Sequence, residues 1–377
     1  ERRWVIHNGF CILPYLHVGR NATIRLFDSI LTETETFIVG IITMPFQFFQ
    51  DDLTLLTHSS TSALDERYLS DLILNWRGPI SIAVFLQGRF NEEYVKQKIS
   101  ETLRLLDNAN DADRLSVHVM VERYKSQNQS CEQSVSQLQK ESHNHIFFAE
   151  YPINTVRNVA RLFSTSRYIA FADSDYLFSA GFYKKMLGIL RENVNLGSKV
   201  ALLYRIFEVD EMESRKRNHQ FTKSELKDLI DRDKARVFHV NNWSHGHQMP
   251  KLPKWLEEPE GLHPGIFNLT ISVKNRSVWE FQFSALRNVP LFDERFPYRT
   301  DNNLELAVGM CRAGYKLVSV QDLFVYHTIS DSKNDKDDAA LKNQIKKQNW
   351  ALYKKAKKDF LKRMKRLYPG MKQQCPV

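Results

Sequence analysis

Short apolar runs alternate with amphipathic tracts along most of this chain, and no other feature narrows the fold as far. Ile80–Leu86 follows Gly78-Pro79 and is apolar at nearly every position, as a strand buried in a parallel sheet must be. The spacing of Tyr94, Val95, Ile99, Leu103 and Leu106 predicts a helix over Phe90–Leu106, and Leu115–Val121 alternates as the next strand. The scheme then repeats, with a helix over Val156–Phe163 and strands at Tyr168–Ala172 and Val200–Phe207. Thr222 and Glu225 form a capping box that opens a helix through about Ile230. A helix over Leu304–Ala313 closes at Gly314, and Leu317–Tyr326 is the last strand. Strands alternating with helices imply an α/β fold, a doubly wound and mostly parallel sheet with flanking helices. Ligands of such sheets bind beyond the carboxyl ends of the strands.

A content of 42% hydrophobic and 26% charged residues excludes a disordered chain, a collagen and a coiled coil. The longest apolar stretch, Phe37 to Phe49, is broken by Pro45 and falls short of the roughly 18–20 residues of a membrane span. The 53 Lys+Arg against 44 Asp+Glu leave a net charge of +9, which favours anionic partners. Much of the excess sits in the last forty residues, where Leu341, Ile345, Leu352, Ala356, Phe360, Met364 and Leu367 recur at helical spacing. This tract reads as a docked amphipathic helix with a solvated basic face. No nucleic-acid partner is expected, because zinc spacings, RNP-like aromatics and Gly-rich basic repeats are all missing.

Four cysteines, Cys11, Cys131, Cys311 and Cys375, lie far apart without a Cys-x-x-Cys pair, which argues against a structural zinc or a thioredoxin-type site. In an oxidising compartment they allow three pairings. Asn-x-Ser/Thr acceptors at Asn21, Asn128, Asn242, Asn268 and Asn275 are a mild excess and favour a lumenal or secreted protein. A start at Glu1, with neither Met nor leader, reads as the ectodomain of a longer precursor.

The sharpest chemical feature is Asp173-Ser-Asp175, directly after the apolar run Tyr168–Ala172. Two carboxylates spaced i, i+2 at a strand's end can face one crevice, and they suit Mn²⁺ or Mg²⁺ with a nucleotide diphosphate supplying further oxygens. No Walker A and no Gly-x-Gly-x-x-Gly follows a strand, so a metal is the natural neutraliser of a diphosphate here. The plainer reading is that the pair caps a turn. His327 ends the last strand and is either a structural histidine or a further metal ligand.

Trp76–Leu86, Tyr151–Arg161 and the Asp173/Asp175 pair resemble glycosyltransferase family 49, the family of the beta-1,4-glucuronyltransferases and of the C-terminal domain of LARGE-type xylosyl- and glucuronyltransferases. Matches continue in the same order: Phe207-Glu208, Lys223–Leu226, Gly246-His247 with Lys254-Trp255, Pro290–Phe296, Asn302, Tyr326-His327 and Tyr353–Pro369. The resemblance implies a GT-A-type fold, a UDP-sugar donor, Mn²⁺ (or Mg²⁺), a glycan or glycoprotein acceptor and a Golgi type II membrane protein. A homo- or heterodimer is admitted. It also implies residues 51–370 as the catalytic domain, after an undefined N-terminal segment over 1–50. Within it, the nucleotide-sugar half runs over about 75–210, the acceptor half over about 211–330 and the basic helix over about 338–368; Pro259 to Pro264 is the best boundary between subdomains.

Asp173, Asp175 and His327 fall on the family's metal positions, with Arg157, Arg161 and His247 beside them for the donor; solvated helix charges are the other reading of the two arginines. The family inverts at the anomeric carbon, which needs a carboxylate to take the acceptor's proton. Glu280 matches the aromatic-Glu-Pro segment, and Asp293 and Glu294 match Phe-Asp-Glu-Arg-Phe. A salt-bridged turn with Arg295 is the alternative for the latter pair, and Asp301 and Glu305 are outside choices. Departures gather in the acceptor half: Thr300-Asp301 for Gly-aromatic, Gly309 for a Glu, Phe281 for a Pro, and Gln248–Lys251 for Ala-Pro-Thr-Asn. Glucuronic acid is the first choice of transferred sugar, N-acetylglucosamine the second and xylose the third. A silent glycan-binding relative acting as scaffold is the alternative from another class.

Overall fold

Nearly every apolar run becomes a strand of one sheet. The computed structural model describes residues 5–7, 10–13, 50–87, 92–106, 114–122, 130–131, 133, 151–192, 198–240, 246–247, 249–261, 265–270, 280–329, 335–371 and 375. The stretch Phe37 to Phe49, the glycosylation acceptors Asn21, Asn128, Asn242 and Asn275, and Trp279 lie outside them.

In chain order, β1 (Val5–His7), β2 (Phe10–Leu13) and β3 (Gln50–Ser60) precede α1 (Glu66–Trp76), β4 (Ile80–Phe85), α2 (Glu92–Arg104) and β5 (Leu115–Glu122). Then come α3 (Ile153–Leu162), β6 (Ser166–Phe171), β7 (Tyr176–Phe178), α4 (Phe182–Glu192), β8 (Val200–Asp210), α5 (Glu211–Lys216), α6 (Lys223–Asp231) and β9 (Ala235–Val237). The chain continues through α7 (Leu252–Glu257), β10 (Ile266–Thr270), β11 (Gln282–Leu286), α8 (Leu304–Arg312), β12 (Lys316–Ile329) and α9 (Asp335–Leu367). Both the capping box on α6 and the left-handed Gly314 after α8 are present. The strands β1–β3, β7 and β9–β11 and the helices α1, α4, α5 and α7 were not anticipated; in β3 the polar residues Asp51, Asp52 and His58 interrupt the apolar pattern.

The sheet order is β1-β2-β5-β4-β3-β6-β11-β8-β12-β10, with β7 on β12 and β9 on β8. The six longest strands, β3, β4, β5, β6, β8 and β12, all run the same way, and β11 is inserted antiparallel between β6 and β8. Strands of the two halves drawn on the sequence are therefore interleaved. Strand alternation sorts the core into two layers. Ile80, Ile82 and Val84 face α1, α2 and α4, while Ala83 and Phe85 join α3 and α8 on the other side. The helix α9 packs Tyr353, Ala356, Phe360 and Met364 onto Phe296 and Val308. Of the three cysteine pairings, the molecule forms Cys11–Cys131 and Cys311–Cys375, the second tying the chain's end to α8.

Candidate active site at the carboxyl edge of the sheet

Because six strands share one direction, their carboxyl ends share one edge, and the polar residues just past the apolar runs collect there. Leu56 of β3 is the register partner of Phe171 of β6, so two steps on His58 stands opposite Asp173. Its Nε2 lies 3.2 Å from the Asp173 carboxylate, and its Nδ1 is 2.8 Å from the Tyr151 hydroxyl. Arg157 reaches the same carboxylate at 3.5 Å from α3. Burial raises the pKa of Asp173, but the hydrogen bond to His58 and the charge of Arg157 outweigh it and hold the carboxyl well below its ordinary range.

After Asp173 the chain turns into β7, whose Tyr176 is paired with His327 of β12. Asp175 thereby comes within 3.2 Å of His327 Nε2. The third sequence-predicted ligand does not join them, since Asp173 faces His58 and Arg157 instead. Among the described residues no group of three or more His, Cys, Asp or Glu side chains is gathered closely enough to hold a metal ion. The Asp175–His327 pair still offers one hard oxygen and one imidazole nitrogen, a donor set that Mn²⁺ accepts when diphosphate oxygens complete it.

Glu280 arrives from the opposite direction. Ser284 of β11 opposes Ala170, so continuing that register past the strand brings Glu280 level with the Asp173–Asp175 turn. Burial pushes its carboxyl up to about 7; Arg157 pulls the other way, and the negative charges of Asp173 and Asp301 push it further up. His247 donates from Nδ1 to the Glu280 carbonyl at 3.0 Å and holds Nε2 3.9 Å from the carboxylate. Burial, then the neighbouring His239, drive the His247 pKa down to about 4, so this ring is neutral beside Glu280. Thr57, His58, Arg157, Asp173, Phe281 and Asn303 line the crevice. Phe281, the residue in place of proline, is buried against Phe283 in its wall.

The remaining predicted residues do other work. All of α3 is buried, which overturns the reading of Arg157 and Arg161 as solvated charges. Arg161 donates to the carbonyls of Arg287, Val289 and Pro290, and burial lowers its pKa to about 9, so it braces a turn instead of facing a diphosphate. Asp293 accepts from Arg295 at 2.7 Å and from Arg363 of α9 at 2.9 Å. Burial opposes ionisation there, but the hydrogen bonds of Arg295 and the charge of Arg363 keep the carboxyl below its usual range. Glu294 accepts from Asn158 at 2.8 Å. Asp301 takes Tyr353 and Lys357, while Gly309 leaves room for Phe360. The acceptor-half departures at Asp301 and Gly309 thus seat α9. Sequence reasoning missed His58; its signal was a histidine two residues past Leu56, the last apolar residue of Leu53-Thr54-Leu55-Leu56.

Residues 52–369 match the family described as "Glycosyl-transferase for dystroglycan". The mouse protein Beta-1,4-glucuronyltransferase 1 is 26% identical over 344 residues, covering 86% of this chain and 78% of its own. The chicken Xylosyl- and glucuronyltransferase LARGE2s is 22% identical over 284 residues, 73% of this chain and 32% of that one. Among solved structures, GalNAc-T7 with UDP, GalNAc and Mn²⁺ aligns over 74% of this chain and 44% of its own, with a TM-score of 0.40 and 11% identity. With a match spanning most of its length, the chain belongs to glycosyltransferase family 49, and it is a glycosyltransferase of the glucuronyl- and xylosyltransferase kind.

Proposed function

We propose that the protein is a Mn²⁺-dependent inverting transferase that passes a sugar, glucuronic acid in the first instance, from a UDP-sugar to a hydroxyl of a glycan acceptor. The observation that carries this reading is Glu280, a carboxylate poised near neutrality beside the Asp173–Asp175 turn. In this reading the acceptor hydroxyl gives its proton to Glu280 as its oxygen bonds to the anomeric carbon, and the bond to the diphosphate breaks from the opposite face with its electron pair. Asp175 and His327 would hold the cation. When bound, it would offset the charge of the departing diphosphate. Arg157 orients Asp173, and neutral His247 keeps the Glu280 backbone in place.

A lumenal, Golgi setting for a membrane-anchored protein belongs to the same reading and is supported by the two disulfides. Among the described residues no helix is long and apolar enough to cross a membrane. The test is UDP release from UDP-glucuronic acid, UDP-N-acetylglucosamine, UDP-xylose and UDP-galactose, with and without Mn²⁺. Mn²⁺-dependent release from UDP-glucuronic acid that Asp175→Ala abolishes is the expected result. Absence of any metal-dependent UDP binding would overturn the proposal.

A further inference from the structure

The chain's positive charge is carried by one helix. Between Ala340 and Leu367 stand eleven Lys and Arg against Asp359 alone, a net +10 where the whole chain has +9, so everything outside this stretch is close to neutral. The inner face of α9 is spoken for: Ile345, Asn349, Tyr353, Ala356, Phe360 and Met364 are buried, Lys357 meets Asp301, and Arg363 meets Asp293. Lys347, Lys354, Lys355, Lys358, Lys362, Lys365 and Arg366 are exposed and form no ion pair among the described residues. At 100° per residue they occupy a sector of about 120° opposite the buried face, and from Lys347 to Arg366 the stripe is roughly 28 Å long. Lys354, Lys358, Lys362 and Arg366 follow one another at i, i+4, each step a like-charge repulsion that weakens the helix. A bound polyanion would relieve that repulsion.

The position of the stripe says which polyanion. The segment under α9 is also a wall of the crevice: Phe292 and Asn303 line it, while Phe296, Tyr298 and Asp301 touch the helix. The stripe lies on the far side of α9 from this wall, one helix diameter (roughly 10 Å) away, so a linear chain leaving the crevice would round α9 to lie along it. We propose that the outer face of α9 binds a linear acidic glycan, carrying carboxylates or sulfates, as an extended subsite for the acceptor; the acceptor role rests on the function proposed above.

The experiment measures binding of a labelled hyaluronan decasaccharide to the full chain without donor, at about 50 and 300 mM salt, a range over which exposed charges become screened. A chitin-derived oligosaccharide of similar length is the neutral probe and an oligothymidine strand the competing polyanion. The hyaluronan probe is expected to bind in a salt-sensitive way, and Lys354→Glu/Lys358→Glu/Lys365→Glu is expected to weaken it about tenfold or more. Lys96→Glu/Lys184→Glu/Lys227→Glu, with the same change in net charge, is expected to bind as the wild type does. Unfolding midpoints check both variants, and Lys→Gln at the three stripe positions decides if the Glu version misfolds. No binding by the wild type, equal losses in both variants, equal binding of the neutral probe, or tighter binding of oligothymidine would each overturn the proposal. Because no donor is present, the outcome is independent of transfer; lost binding alongside normal UDP release refutes the subsite alone.

Discussion

Asp175 lies 3.2 Å from His327 because Tyr176, the first residue of β7, is the register partner of that histidine. A contact spanning more than 150 positions is thus set by one antiparallel pairing. Asp175→Asn and His327→Ala are each expected to weaken Mn²⁺-dependent UDP binding by at least about tenfold, measured by calorimetry with and without chelator. Unchanged binding in both would remove the pair from the donor site.

Glu280→Gln is expected to lower kcat by about 10²–10⁴-fold with little change in stability. A base works deprotonated, and the Glu280 carboxyl loses its proton at about 7. The wild-type kcat/KM should therefore rise as pH climbs towards that value and level off above it, and the Gln variant should lack this limb. Asp293→Asn should instead lower the unfolding midpoint, since Arg295 and Arg363 lose their partner. A larger kcat loss for Asp293→Asn than for Glu280→Gln would reverse the assignment.

The two arginines of α3 separate by readout. Arg157→Met removes a charge from Asp173 and should cost about 10–100-fold in kcat/KM for the donor, with a modest change in stability. Arg161→Met strips the donors from the buried carbonyls of Arg287 and Val289 and the half-buried one of Pro290, and should cost about 3 kcal/mol or more in denaturant unfolding, leaving the donor KM unchanged. A fully stable Arg161→Met protein would contradict its bracing role.

Lys223 and Asp322 form an ion pair in which each side chain is 2% exposed. Lys223→Met leaves the carboxylate uncompensated and should destabilise the protein by about 3–5 kcal/mol. Adding Asp322→Asn should recover part of this loss, because it removes the buried charge and keeps an acceptor for the Gly261 N–H. A double variant less stable than the single one would mean that the carboxylate is not the source of the penalty.

Much of the sheet was legible because strands β4, β5, β6, β8 and β12 carry their signal locally, in apolar runs bounded by turn residues. Strand β3 was not, since its polar residues face useful partners: Asp52 accepts from Tyr183 at 2.6 Å and His58 meets Asp173. Those partners lie more than a hundred positions away, beyond any periodicity. The acidic residues of the acceptor half were misleading for the same reason. Asp293, Asp301 and Glu280 look alike along the chain, and only their surroundings assign two of them to holding α9 and set the third level with the Asp173–Asp175 turn.

The sequence by itself determined the α/β alternation, the two aspartates at a strand's end, the family and the basic amphipathic helix, all of which are local patterns or ordered motifs. The tertiary structure decided which strands adjoin, which cysteines pair, where Arg161 spends its charge and which carboxylates, Glu280 at about 7 and Glu305 at about 8, burial pushes up towards or past neutral pH. The physical reason is that ionisation and hydrogen bonding depend on burial and on neighbours within a few ångströms. Here those neighbours come from β3, α3, β11 and α9, segments brought together only by folding.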